Sequence, residues 1–166
     1  MKKVIFFLVG LFSISLAIAQ HEARVIRVID GDTFIAKWGN ENYTCRLEHV
    51  DAPELSQDFG IESYRALSDL IVGHKIMIRP HKIDLYGRSL VTVTVDSKRV
   101  DSMLIRNGSA WLYVNYCNEA LLKQCMQDAI DNKLGLWHCG KEHVCPPWLY
   151  RHYNYRNKLK YCIGCK

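Results

Sequence analysis

The sequence predicts an α+β fold that is mainly a small closed β-barrel. Three observations carry this. Three short strand-like runs follow one another near the start, joined by tight turns. A single amphipathic helical run separates them from two further strands. The last of these, Ser89 to Val95, alternates valine with leucine and threonine. At 166 residues the chain is long enough for one domain with a proper core, and it carries no internal repeat or low-complexity stretch.

Arg24 to Ile29 and Thr33 to Trp38 read as strands around the Asp30-Gly31-Asp32 turn. After the turn Gly39-Asn40-Glu41-Asn42, the residues Tyr43, Cys45 and Leu47 alternate with Thr44, Arg46 and Glu48, which sets Arg46 on the face away from Leu47. The loop Val50-Asp51-Ala52-Pro53-Glu54 leads to a helix over about 59–72. There Ile61, Tyr64, Leu67 and Ile71 are spaced as one face, and Gly73 closes it. Lys75 to Arg79 is the fourth strand and Ser89 to Val95 the fifth, with Val91, Val93 and Val95 on one face and Arg88 on the other. A second helix covers about 100–107. A third, capped by Asn118, runs to about Lys133 with Leu121, Leu122, Cys125, Met126 and Ile130 inward. Five strands with a helix between the third and fourth match the Greek-key barrel known as the OB-fold, here with three helices and a disulfide-rich C-terminal extension.

Three segments are expected: 1–19 a signal peptide, 20–137 the barrel domain, and 138–166 a Cys-rich, basic and aromatic extension. Lys2 and Lys3 precede an apolar run, and Ala17-Ile18-Ala19 offers a small-x-small cleavage site before Gln20. The mature protein is therefore expected to be secreted or periplasmic, with no membrane segment. Net charge is +5, and loss of the two signal lysines leaves +3. From Trp137 onward six Lys/Arg face Glu142 alone, giving +5, so 20–136 carries −2. A basic tail on a mildly acidic body suits an anionic partner.

Six of seven cysteines lie in the last third. Export favours three bridges among Cys117, Cys125, Cys139, Cys145, Cys162 and Cys165, with Cys45 a buried free thiol. A zinc site of Cys139, Cys145, Cys162 and Cys165, with His143 in reserve, is the alternative. The Trp148 to Tyr161 run offers either bases and phosphates a surface, or simply a solvated basic face with packed tyrosines. On both readings it adds affinity rather than chemistry.

Asp32, Asp51 and Glu54 supply hard oxygen atoms suited to Ca²⁺ or Mg²⁺ and a carboxylate to hold or deprotonate water. Arg46 and Arg88 supply two forks for a phosphate. Together they form a constellation for phosphodiester hydrolysis on one side of the barrel, although each alone is an ordinary surface residue.

The motifs "DGDTF", "RLEHVDAPE" and "DLYGR", in this order, resemble the signature of the staphylococcal nuclease (thermonuclease) family, and the likeness extends through "NGSAW" to "LGLW". The resemblance implies a nuclease acting on DNA, with RNA left open, at low sequence preference. It implies cleavage of the P–O5′ bond to leave 3′-phosphates, and one Ca²⁺ ion. It assigns the metal to Asp32, Asp51 and the Ala52 carbonyl, catalysis to Arg46, Glu54 and Arg88, and substrate contact to Tyr86 and Tyr113, with Tyr116 beside it. Asp30 borders the metal as outer support. Leu85 stands where the staphylococcal enzyme has a phosphate-binding lysine. No obligate partner is evident, so a monomer is expected. The rival readings are a non-catalytic OB-fold nucleic-acid-binding module, which the retained carboxylates and arginines disfavour, and a disulfide-stapled adhesion or inhibitor protein, which leaves those charges unexplained.

Overall fold

The computed structural model describes residues 19–164; the expected signal peptide, apart from Ala19, lies outside these residues, as does Cys165. Strands β1 (His21–Val28), β2 (Thr33–Trp38) and β3 (Glu41–Leu47) form the expected antiparallel meander. After the short β4 (Val50–Asp51) and helix α1 (Gly60–Ile71) come β5 (Ile76–Ile83) and β6 (Ser89–Val95), antiparallel to each other. β5 pairs with β1, and β6 pairs in parallel with β3, so the order β3-β2-β1-β5-β6 returns to β3 and closes a five-stranded barrel. Closure removes the open edges that a sheet this small would otherwise present.

The barrel interior is lined by inward positions of every strand, among them Phe34, Ala36, Cys45, Leu47, Ile76 and Val93, all at most 1% exposed. Cys45 is free, as expected, and burial pushes its thiol up to about 12. β5 runs four residues beyond the expected end. Pro80 sits where the register slips between Pro80 and Lys82, the kind of site at which a strand tolerates a missing donor.

β7 (Lys98–Arg99) leads into α2 (Val100–Arg106); β8 (Trp111–Leu112) pairs with β4; α3 (Ala120–Asp131) packs on α2. Two helical faces differ from their predicted stripes. α1 buries Gly60, Ser63, Leu67 and Ile71 while Ile61 is exposed, and α3 buries Leu122, Cys125 and Ala129 while Leu121 is exposed. Small residues take the closest approach in each case. Glu119, not Asn118, is the N-cap of α3; the Asn118 side chain instead accepts from Lys123.

Beyond the three expected helices, the C-terminal segment adds α4 (Pro147–His152) and α5 (Tyr155–Tyr161). Cys145 is bonded to Cys162, and Cys139 is also disulfide-bonded, so these sulfurs do not form the zinc tetrad. Cys117 and Cys125 are buried free thiols, which overturns the expectation of three bridges. Cys125 Sγ accepts from Arg106 Nη2 at 3.2 Å, and Cys117 lies beside His49 and Glu119.

Candidate active site

The Asp30-Gly31-Asp32 turn is held by its own side chains. Asp30 Oδ1 accepts the Asp32 N–H at 3.0 Å, and Thr33 Oγ1 donates to Asp32 Oδ1 at 2.8 Å. Gly31 is needed for space: a Cβ there would lie 2.1 Å from Ser63 Oγ and 2.7 Å from Ala52 Cβ. The turn is thus clamped between α1 and the loop after β4. Burial, then the neighbouring Asp32 charge, pushes the Asp30 carboxyl up to about 6.

Strand register brings Arg46 to Asp32. Thr33 is paired directly with Arg46, and the Leu47 N–H donates to the Asp32 carbonyl at 2.9 Å. Arg46 does face out of the barrel, but the β4 strand and the following loop cover it, and it is only 8% exposed. Period-two alternation tells which side of a sheet a residue faces, not what lies over that side. Arg46 Nη2 donates to Asp32 Oδ2 and to Asp51 Oδ1, both at 3.1 Å. The Ala52 N–H donates to the same Asp32 Oδ2 at 3.1 Å. Asp51 is completely buried, and its partner across β4–β8 is Trp111. Its carboxyl is raised above the usual range because burial outweighs the opposing pull of Arg151 and Arg46.

Glu54 is half-exposed at the loop end, where its backbone is fixed by Gln57: Glu54 N–H to Gln57 Oε1 at 3.2 Å and Gln57 N–H to the Glu54 carbonyl at 2.8 Å. The residue that ties Glu54 to the two aspartates is one the sequence did not single out. Arg151 of α4 donates from Nη1 to Asp51 Oδ1 (3.1 Å) and Glu54 Oε1 (2.9 Å), and from Nη2 to Asp51 Oδ2 (2.9 Å). The extension therefore reaches the carboxylate cluster itself. Arg151 lies about 100 residues from its partners, and nothing local in "WLYRHYNYR" distinguishes it from the other tail cations. The only available signal was the charge contrast between tail and body.

Arg88 stands apart from this cluster. It immediately precedes β6, two residues before Leu90, the parallel partner of Arg46. Among its described contacts, Nε donates to Asp84 Oδ2 at 2.8 Å, its backbone N–H donates to Asp84 Oδ1 at 2.9 Å, and its guanidinium lies over the Tyr86 ring. Gly87, at φ 78°, provides the left-handed residue that this turn requires. Asp32, Asp51 and Glu54 are bridged by Arg46 and Arg151. Tyr113 does belong to the cluster: the Arg46 guanidinium lies 5.5 Å from its ring centre, and Tyr116 packs against it at 4.6 Å. Tyr86 and Leu85 are exposed at the tip of the 84–88 turn.

The donor set of Asp32, Asp51 and Glu54 is all oxygen, and the first two converge on one guanidinium nitrogen. That arrangement suits a hard divalent cation better than a thiophilic one. A second polar group, His49, Cys117 and Glu119, has ligand atoms within 4.8 Å of one another. It is already neutralised: Arg99 holds Glu119 at 2.6 Å and 3.2 Å, and His49 Nδ1 lies 2.8 Å from Asp101.

Residues 44–139 match the family model described as "Staphylococcal nuclease homologue". The chain belongs to the staphylococcal nuclease family. An uncharacterized endonuclease of Escherichia coli is 33% identical over 153 residues, covering 92% of this chain and 99% of the relative. A micrococcal nuclease of Shigella flexneri is 27% identical over 144 residues, 80% of this chain and 82% of its own. A probable staphylococcal-like nuclease of Oryza sativa subsp. japonica is 28% identical over 134 residues, which is 81% of this chain but 39% of that longer protein.

Proposed function

We propose that this protein is a Ca²⁺-dependent endonuclease that hydrolyses phosphodiester bonds of DNA, and of RNA as a second substrate class, with low sequence preference. The same reading gives 3′-phosphate products. It also makes the protein a monomer, secreted or periplasmic after removal of residues 1–19, with 20–137 as the catalytic domain and 138–166 as its extension. Relatives whose names say endonuclease and micrococcal nuclease support the reaction class. The observation that carries it is the single nitrogen of Arg46 shared between Asp32 and Asp51, with Glu54 one bridging guanidinium away.

In this reading Asp32, Asp51 and the Ala52 carbonyl hold the ion. A bound divalent ion supplies Lewis-acid polarisation of a phosphate oxygen. Glu54, half-exposed and fixed through Gln57, holds the attacking water and takes its proton. Arg46 and Arg88 grip the phosphate and neutralise the charge that grows on it. Arg88 is held by Asp84 through Nε, which leaves its two terminal nitrogens for a phosphate. Tyr113 and Tyr86 present ring faces to the substrate beside the two arginines.

The test is digestion of plasmid, single-stranded DNA and RNA with Ca²⁺, with Mg²⁺, or with chelator, followed by end-group analysis. Cleavage with Ca²⁺ that is lost in chelator and in Glu54→Gln is expected. Tight DNA binding without any metal-dependent cleavage would instead establish the binding-module reading.

A further inference from the structure

Arg151 is delivered to the cluster by a built support. After Trp137 the chain turns back over the loop that follows β4. Gln57 Nε2 donates to the Cys145 carbonyl at 2.6 Å, and the Tyr150 hydroxyl donates to the Ser56 carbonyl at 2.9 Å. The Trp148 ring meets Trp111 edge to face at 5.2 Å, and Trp111 is the strand partner of Asp51. The Cys145–Cys162 bond ties the start of this segment to its end.

So supported, Arg151 engages both oxygens of Asp51 and one of Glu54. Arg46 uses Asp32 Oδ2 and Asp51 Oδ1, whereas Asp51 Oδ2 and Glu54 Oε1 bond Arg151. A cation and a guanidinium that use the same carboxylate oxygens exclude or repel each other, and at about 4 Å in a partly buried site that repulsion is substantial. Two guanidiniums also already balance two of the three negative charges.

We propose that Arg151 is a further residue of the active site and competes with the divalent cation for Asp51 and Glu54, so that the C-terminal segment sets the metal affinity. The inference rests on the metal-dependent reading above. Loading the ion requires the guanidinium to leave Asp51, and the docked segment holds it close enough to return when the ion departs. The barrel alone would then bind metal more tightly than the whole chain.

The experiment is Ca²⁺ titration calorimetry on the purified wild type, Arg151→Gln and Arg151→Lys, with melting curves in chelator and in Ca²⁺. Arg151→Gln keeps the stem and loses the charge. It is expected to bind Ca²⁺ about tenfold more tightly, and to show a lower Tm than wild type in chelator but a larger rise on adding Ca²⁺. Arg151→Lys keeps the charge without the fork and should fall between. A purely structural role for Arg151 would lower the Tm and leave Ca²⁺ affinity unchanged or weaker, which overturns the proposal. Absence of Ca²⁺ binding to all three proteins overturns the metal-dependent reading and this proposal with it. Wild-type binding with no gain in Arg151→Gln overturns this proposal alone.

Discussion

At the scale of residues, Arg46 joins structure to chemistry. It is buried, and it separates two carboxylates that would otherwise repel one another inside the protein. Removing one partner of a buried charge network strands the rest, at a typical cost of about 3–5 kcal/mol. Arg46→Ala should lose about that much stability in urea titrations performed in chelator. Part of the loss should return with Ca²⁺, because an ion between Asp32 and Asp51 replaces the missing positive charge. Its nuclease rate should fall by at least about 100-fold, the usual scale for losing one donor aimed at developing charge. A stability loss that Ca²⁺ leaves untouched would show that the two carboxylates do not share an ion. The residue types and order of "DGDTF" and "RLEHVDAPE" made this group legible in the sequence, because adjacent strands carry them into register. The burial of Arg46 was not legible, since the cover comes from segments distant along the chain.

At the scale of elements, the five barrel strands were legible because each writes its own period in a few residues, and turns at Gly39 and Gly87 punctuate them, whereas the two-residue strands β4, β7 and β8 are too short to show a period. Helix faces were read less well. Gly60 and Ser63 on α1 are buried through close contact, a role that hydrophobic spacing does not encode. The C-terminal helices were least legible: α4 and α5 are short, and they are placed by docking on loop 54–57 rather than by a strong stripe of their own. That docking makes a specific forecast. Gln57 Nε2 spans from the Glu54 loop to Cys145 in a buried bond, and Gln57 Oε1 also receives the Glu54 N–H. Gln57→Ala should therefore loosen both partners at a cost of about 1–3 kcal/mol, the penalty of stranding buried polar groups. Limited proteolysis should cut residues 138–164 sooner in this variant while the barrel fragment persists. Hydrogen exchange should rise in α4 before it rises in β1–β6. Uniform acceleration across the whole chain would mean that the segment and the barrel open as one unit.

At the scale of the whole molecule, the barrel is fastened to its helical layer by the network His49–Asp101–Arg99–Glu119. His49 follows β3, Arg99 lies in β7, Asp101 in α2, and Glu119 caps α3. This joint titrates at Asp101 and at His49. For Asp101, burial raises the carboxyl, but the bonds from His49 and Arg99 outweigh it and hold the group down at about 2. A depressed carboxyl contributes stability that is fully present above its unfolded value near 4 and fades as pH falls through about 2. A shift of this size corresponds to about 2 kcal/mol. For His49, the bond to Asp101 raises the ring above its ordinary 6.5 despite burial. A raised imidazole contributes fully below 6.5, and that contribution is lost as pH climbs through the raised folded value. Wild type compared with Asp101→Asn in urea should therefore show a stability difference that is constant between pH 4 and 6.5, shrinks between 4 and 2 as Asp101 takes a proton, and shrinks above 6.5 as His49 loses the proton that Asp101 holds. Wild type compared with His49→Gln should show one that is constant between pH 4 and 6.5, shrinks above 6.5, and shrinks again below 4 as Asp101 takes a proton. Such paired differences cancel the separate titration of Asp30, whose raised carboxyl belongs to the nuclease cluster and is common to all three proteins. If both differences stay flat across the whole range, the joint is held by geometry and packing, and its charges contribute nothing to the attachment of the helices.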